Sequence, residues 1–328
     1  ANYADLDGVD VIIEAVFEDR GVKAESTALA VKAAGEHTLF ASNTSTLPIT
    51  SLAATHPRPE RFIGLHFFSP VHRMQLVEVI VGEKTSDATL AQALDVVKAI
   101  GKTPVVVRDS RGFFTSRVFE TYVREGFALL AEGVAPALIE NAGRMTGMPL
   151  GPLELADEVG LELLVRIQRQ TEKDLGAAYQ RPPGIEVAFR WVEELKRTGK
   201  KSGRGLYDYG PEGKRLSAEL KSAYPPAATQ PELDAVRHRL LDIQTIEALR
   251  CLEEGVVRSV VDADVASLLG WGYPPWAGGV ASYVDTVGAD VLLARCQALA
   301  DAGAPRFAPP KLLKDLVSGG KTLHAARG

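Results

Sequence analysis

Several features are scarce or missing in this 328-residue sequence, and each absence removes a class of protein. Cysteine occurs twice, at Cys251 and Cys296, in segments of helical pattern and with no C-x-x-C pair, so neither a zinc site nor a disulfide framework is expected and a reducing compartment fits. No apolar run reaches the roughly 18 residues that read as a membrane span. The N-terminal "ANYADLDGVD" is acidic and lacks the regions of a signal peptide, so a cytoplasmic protein without membrane association is expected. Neither sign of charge dominates, with 37 Lys+Arg against 42 Asp+Glu, and no block of like charges occurs. Nucleic acid and acidic membrane surfaces are therefore poor partners. Also missing is a G-x-G-x-x-G turn opening a helix after a strand; "GRGLYDYG" lacks the third glycine.

What is present describes a globular chain, 46% hydrophobic and 24% charged, long enough for two or three domains. Residues 1–108 alternate strand and helix. "DVIIEAV" (10–16) is a β-branched run, "VKAESTALAVKAAG" (22–35) has helical spacing, and "TLFASNTS" (38–45) is a strand running into polar turn residues. "RFIGLHFF", "LVEVIVG", a helix over 87–100 and "TPVVVRD" follow. Buried strands separated by helices predict an open, largely parallel α/β sheet, which places ligands at the carboxyl ends of its strands.

After Asp109 the pattern becomes helical, over 116–134, 136–147, 153–176 and 185–197, with "GKKSGRGLYDYG" (199–210) as a turn and short strand. A Pro/Ala-rich passage, "AYPPAATQPE", marks a linker within 211–232. Beyond it, 233–328 reads as a diverged copy of 109–210. Arg117 and Arg239 lie 122 residues apart, "AEGV" and "EEGV" keep that offset, and "DEVG" answers "DTVG". Two copies are too few for a solenoid, so the fold class expected is α/β plus all-α: a partial Rossmann-type sheet followed by two duplicated helical domains, which could pair as an internal pseudo-dimer.

Two ionisable residues interrupt the strands. His66 closes "RFIGLHFF" and Glu78 stands inside "LVEVIVG", twelve positions on. If the two runs are neighbouring strands, the side chains converge at one rim, and a carboxylate on one imidazole nitrogen leaves the other free as a base. Spacing alone also allows a core histidine with satisfied bonds and a solvent-facing glutamate. The polar "ASNTSTL" (41–47) stands either where such a sheet binds ligand or as a turn capping the next helix. Glu14 and Glu18, in "EAVFED", either accept from a ribose hydroxyl or start a helix.

Taken together, "IIEAVFED", "FASNTSTLPIT", "RFIGLHFFSPVHRMQLVEVI", "VVVRDSRGFFTSRV", "GMPLGPLELADEVGL" and "KKSGRGLYDY" resemble the L-3-hydroxyacyl-CoA dehydrogenase family in order and spacing. The duplicated tail with "GYPPWAGG" is similar to the dehydrogenase portion of multifunctional fatty-acid oxidation α-subunits. The resemblance implies NAD-dependent oxidation of a 3-hydroxyacyl-CoA to a 3-ketoacyl-CoA, with His66 as catalytic base and Glu78 as its partner. It implies Ser45 and Ser116 as substrate contacts, Ala15, Glu18, Lys23, Ser45, Ser69 and Lys201 at cofactor-contacting positions, no metal, and a thiolase subunit as a candidate partner. Ser69 and Ser116 depart from the family's common asparagine, offering one donor where an amide offers two. The absent glycine turn leads to the expectation of an N-terminally truncated chain, missing the first mononucleotide-binding half and a fused hydratase, that binds NAD weakly or not at all. A non-catalytic assembly module is the alternative.

Overall fold

The computed structural model describes residues 2–327. Five strands, β1 (Val11–Glu14), β2 (Leu39–Ser42), β3 (Phe62–Phe67), β4 (Leu76–Val81) and β5 (Thr103–Arg108), form one sheet in sequential order. Helices α1 (Arg20–Ala33), α2 (Ile49–Ala53) and α3 (Asp87–Ala99) connect the parallel pairs β1–β2, β2–β3 and β4–β5. Only β3 and β4 run antiparallel, which is why the short loop between them suffices, whereas parallel neighbours need a crossover. The sheet expected from the alternating pattern is present.

Side chains on a strand alternate between faces, and here that period of two sorts chemistry. One face, with Leu39, Ala41, Ile63, Leu65, Val77 and Val79, packs on Ala93 and Val97 of α3 as an apolar cluster. Glu14, Ser42, His66 and Glu78 occupy positions of the other parity, so all four fall on the opposite face. Each is buried.

Next come α4 (Thr115–Ala131), α5 (Pro136–Met145), α6 (Pro152–Val159), α7 (Leu161–Leu175) and α8 (Glu186–Glu193). A hairpin, β6 (Tyr207–Gly210) and β7 (Gly213–Leu216), precedes α9 (Glu219–Ala223), α10 (Leu233–Glu253), α11 (Val260–Gly270), α12 (Tyr283–Val287), α13 (Ala289–Asp301), α14 (Lys311–Gly319) and α15 (Leu323–Arg327). The single helix expected over 153–176 is two, because Gly160 adopts φ +94° and its neighbours cannot continue the helical ladder through it. The stretch expected as linker is also partly regular: β7 and α9 lie in it, Ala227 N–H donates to Gly133 O, and the Gln230 side chain bonds Gly133 and Ala135. Proline and alanine content signals a break in helix, but it is silent on backbone hydrogen bonds to distant residues.

The chain divides into two compact units: Ala1–Val118 with Glu247–Gln297 and Pro309–Gly328, and Phe119–Ile246 with Ala298–Ala308. Within the first, Arg117 bonds Glu247 and Glu254. Within the second, Arg239 bonds Glu125 and Glu132, and Arg306 joins them. The three positions Arg117, Glu125 and Glu132 recur 122 residues later as Arg239, Glu247 and Glu254, so the repeat preserves an ion-pair arrangement.

In the second unit Asp157 is buried and accepts from Leu206 N–H, Tyr207 N–H and the Tyr209 hydroxyl. Burial pushes its carboxyl up to about 6, against the lowering by these bonds and by Arg197. The folded value lies above the unfolded one of about 3.9, so the folded state holds the proton more tightly between them, and this contribution to stability declines as pH rises through that window. Against an Asp157→Asn variant, the wild type should gain about 1–3 kcal/mol between roughly pH 7 and pH 4. Denaturant unfolding across pH checks it; parallel profiles for the two proteins would remove Asp157 as the source.

Candidate active site

The site grows from the register of β3 and β4. His66 pairs directly with Glu78 across the antiparallel ladder, on the same face, so the two side chains are held together by backbone pairing before any side-chain bond forms. His66 Nδ1 lies 2.9 Å from Glu78 Oε2. As the carboxylate accepts, Nδ1 carries the proton and Nε2 is left as the basic nitrogen. Among the described residues no protein group bonds Nε2. Phe68 and Phe113 flank the ring, with centroids 4.5 and 6.1 Å away.

Glu78 is fully buried, and a buried carboxylate requires partners. Its Oε1 accepts from Phe114 N–H and Thr115 N–H, both at 3.0 Å, and its Oε2 also accepts the Thr115 hydroxyl at 2.6 Å. These amides are the free donors at the start of α4, whose dipole favours an anion there. The turn that aims them is strained: Gly112 has φ +73° and Phe113, a bulky residue, φ +50°. Sequence reading missed Thr115 and this turn. A Thr-Ser pair before an apolar helical run is a legible helix-start signal, but nothing local shows that the group it meets sits on β4.

At the carboxyl ends of β1 and β2 a second network shapes the 43–46 loop. Glu18 Oε1 accepts the Thr44 hydroxyl at 2.6 Å, Ser45 N–H at 3.1 Å, and the N–H and hydroxyl of Thr46 at 3.0 and 3.1 Å. Burial pushes the Glu18 carboxyl up, but the Thr44 bond, the Lys23 charge and the Thr46 bonds outweigh it and hold it below the usual range. Lys23 is 1% exposed, its ammonium bonding both oxygens of Glu14 and lying 3.6 Å from Glu18. Glu14 is thus an internal counterion bonded also by Ser42, and the helix start is capped by Asp19 instead. Asn43, another residue the sequence did not single out, accepts Phe67 N–H at 2.9 Å and ties this loop to the end of the strand carrying His66.

The remaining predicted residues fall in two groups. Ala15, Ser45 and Ser69 are exposed in the first unit, and Ser116 is half-buried in the first turn of α4, beside Thr115. Lys201 is exposed on a 3-10 turn of the second unit. No helix of the described residues is long and apolar enough to cross a membrane.

Comparison with known proteins identifies the family. Residues 1–110 match the 3-hydroxyacyl-CoA dehydrogenase, NAD binding domain, and residues 112–209 and 236–327 match the 3-hydroxyacyl-CoA dehydrogenase, C-terminal domain. The chain is 40% identical over 98% of its length to the fatty acid oxidation complex subunit alpha of Shewanella amazonensis, and 39% identical to that of Shewanella frigidimarina. It spans about half the length of these curated relatives, 46% and 45%. Among solved structures, 3-hydroxybutyryl-CoA dehydrogenase from Escherichia coli matches with a TM-score of 0.80 at 26% identity, over 97% of this chain and 83% of that one. The dehydrogenase part of multifunctional enzyme 1 from C. elegans matches with a TM-score of 0.63 at 25% identity, over 95% of this chain and 72% of that one. With sheet, helical repeat and both domain descriptions in agreement, the chain belongs to the 3-hydroxyacyl-CoA dehydrogenase family.

Proposed function

We propose that this chain carries the NAD-dependent oxidation of an L-3-hydroxyacyl-CoA to the 3-ketoacyl-CoA in fatty-acid β-oxidation. The observation that carries the reading is the buried His66–Glu78 pair at 2.9 Å, with Nε2 left to accept a proton. NAD, when bound, supplies the hydride acceptor. The protein's part is to take the hydroxyl proton on His66 Nε2 as the C3–H bond breaks, and to stabilise the resulting imidazolium by the Glu78 carboxylate. The bond between Nδ1–H and Glu78 keeps the ring in the tautomer that can do so.

The residues present fit the cofactor at the carboxyl ends of the strands. Ser45 and Ser69 offer exposed hydroxyls there, and Ala15 adds no bulk. Glu18 and Lys23 are assigned to the cofactor: Glu18 Oε1 sets the placement of Ser45, its Oε2 carries only the Lys23 contact at 3.6 Å among the described residues, and Lys23 is the buried counterion of Glu14. Ser45 and Ser116 are assigned to the substrate's reacting end, Lys201 to the cofactor, and the products' chemistry fits a thiolase as the next subunit to act.

The test is NADH formation from 3-hydroxybutyryl-CoA, followed by absorbance in the complete natural polypeptide. Reduction that depends on both the acyl-CoA and NAD is expected. Binding of acyl-CoA with no hydride transfer to any nicotinamide cofactor would favour the assembly module and sink the enzymatic reading.

A further inference from the structure

The carboxylate of Glu78 is over-supplied with donors for a group whose task is to pull on one imidazole. Four hydrogen bonds end on it: His66 Nδ1 at 2.9 Å, the Thr115 hydroxyl at 2.6 Å, and the N–H groups of Phe114 and Thr115 at 3.0 Å. Two of these are backbone amides and would remain with any side chain at 115. The hydroxyl is different. It shares Oε2 with His66, it is the shortest of the four, and it belongs to a side chain only 1% exposed. The geometry points to Thr115 as a positioning residue that tempers the pull of Glu78 on His66.

The physical reason is competition at one oxygen. A carboxylate stabilises an adjacent imidazolium in proportion to the negative charge it presents, and each donor that bonds the same oxygen withdraws part of that charge. With the Thr115 hydroxyl in place, Glu78 fixes the ring tautomer while presenting less charge to His66. Without it, the carboxylate faces His66 with a freed lone pair in a dry setting, and the protonated ring gains. The strained turn at Gly112 and Phe113 sets the position of Thr115, so the arrangement is built into the backbone entering α4.

The charged groups on the elements around the pair are engaged elsewhere: on α11, which packs on β4, Asp262 N–H bonds the Ser259 hydroxyl at the exposed start of the helix and Asp264 accepts Ala281 N–H and the N–H and hydroxyl of Ser282. Arg117, two residues along α4, is neutralised by Glu247 and Glu254. From α10, Cys251 stands in electrostatic reach of Glu78, and burial, assisted by Glu247, Glu254 and Glu78, pushes its thiol up, so it remains neutral. Neither group touches Oε2.

The inference rests on the proposed dyad, but its test does not use turnover. The His66 ring is titrated by NMR in the 328-residue chain, its signals among the six histidines identified by their loss in His66→Gln. Thr115→Val keeps the shape and removes the donor; the midpoint of the ring should move up by about half a pH unit or more. Thr115→Ser keeps the donor and should titrate as the wild type does. If valine prevents folding, Thr115→Ala against Thr115→Ser supplies the same comparison without a branched side chain. An unchanged or lowered midpoint on removing the hydroxyl would overturn the assignment. Failure to form NADH would instead sink the proposed reaction and leave this titration readable.

Discussion

Replacing His66 by glutamine lowers turnover of 3-hydroxybutyryl-CoA in the complete natural polypeptide by about 10²–10⁴-fold, the range for loss of a positioned general base. Glutamine fills similar space and retains a hydrogen-bonding group toward Glu78, so the four-donor arrangement at the carboxylate and the β3–β4 register should persist. The loss should therefore appear in kcat, with acyl-CoA affinity changed much less, because the substitution removes a proton acceptor and leaves the rest of the chain's surface unchanged. Rate and binding are measured separately, by initial velocities and by calorimetric titration of the acyl-CoA. A variant that binds poorly but turns over at the wild-type rate would show that His66 holds the substrate and moves no proton.

Replacing Glu78 by glutamine is expected to cost nearly as much, for a reason visible in its bonds. Oε1 of the glutamate takes two backbone amides and Oε2 takes His66 and Thr115. An amide has one acceptor oxygen. With that oxygen on the amides of Phe114 and Thr115, the NH₂ faces His66 Nδ1, and the ring must turn to the tautomer protonated at Nε2, which cannot accept the substrate's proton. The alternative orientation leaves two buried amides facing an NH₂, costing on the order of 1–3 kcal/mol for each unsatisfied group. That cost favours the first orientation, in which the histidine no longer works as a base, and turnover should fall by about 10²-fold or more, as when a histidine is held in the wrong tautomer. The two substitutions disable one unit, so the double variant should be about as slow as His66→Gln alone. Multiplicative losses would show that Glu78 acts independently of His66, and the dyad would be rejected even with His66 essential.

Much of this was readable from residue order. The β-branched runs and their turn residues placed the strands, and the recurrence of Arg117 as Arg239 with matched neighbours exposed the helical duplication. His66 and Glu78 stood out because ionisable residues in apolar strands need partners. Other parts were not readable: the proline-rich stretch after Leu216 is tethered by Ala227 and Gln230, and the helix expected across Gly160 is broken. In the first case the partners lie about ninety residues away, and composition holds no record of them.

What the sequence by itself determined was parity and periodicity. Residues two apart on a strand share a face, so Glu14, Ser42, His66 and Glu78 were committed to one side of the sheet once the register of four strands was set. Whether that side brought His66 and Glu78 into contact was decided only in three dimensions. The antiparallel turn between β3 and β4 brought His66 opposite Glu78, the left-handed backbone at Gly112 and Phe113 aimed the start of α4 at the same carboxylate, and burial made every donor there count. Hydrogen bonds depend on angle and distance between groups that the chain separates by 12 to 37 positions, and those quantities exist only after the backbone has closed around them.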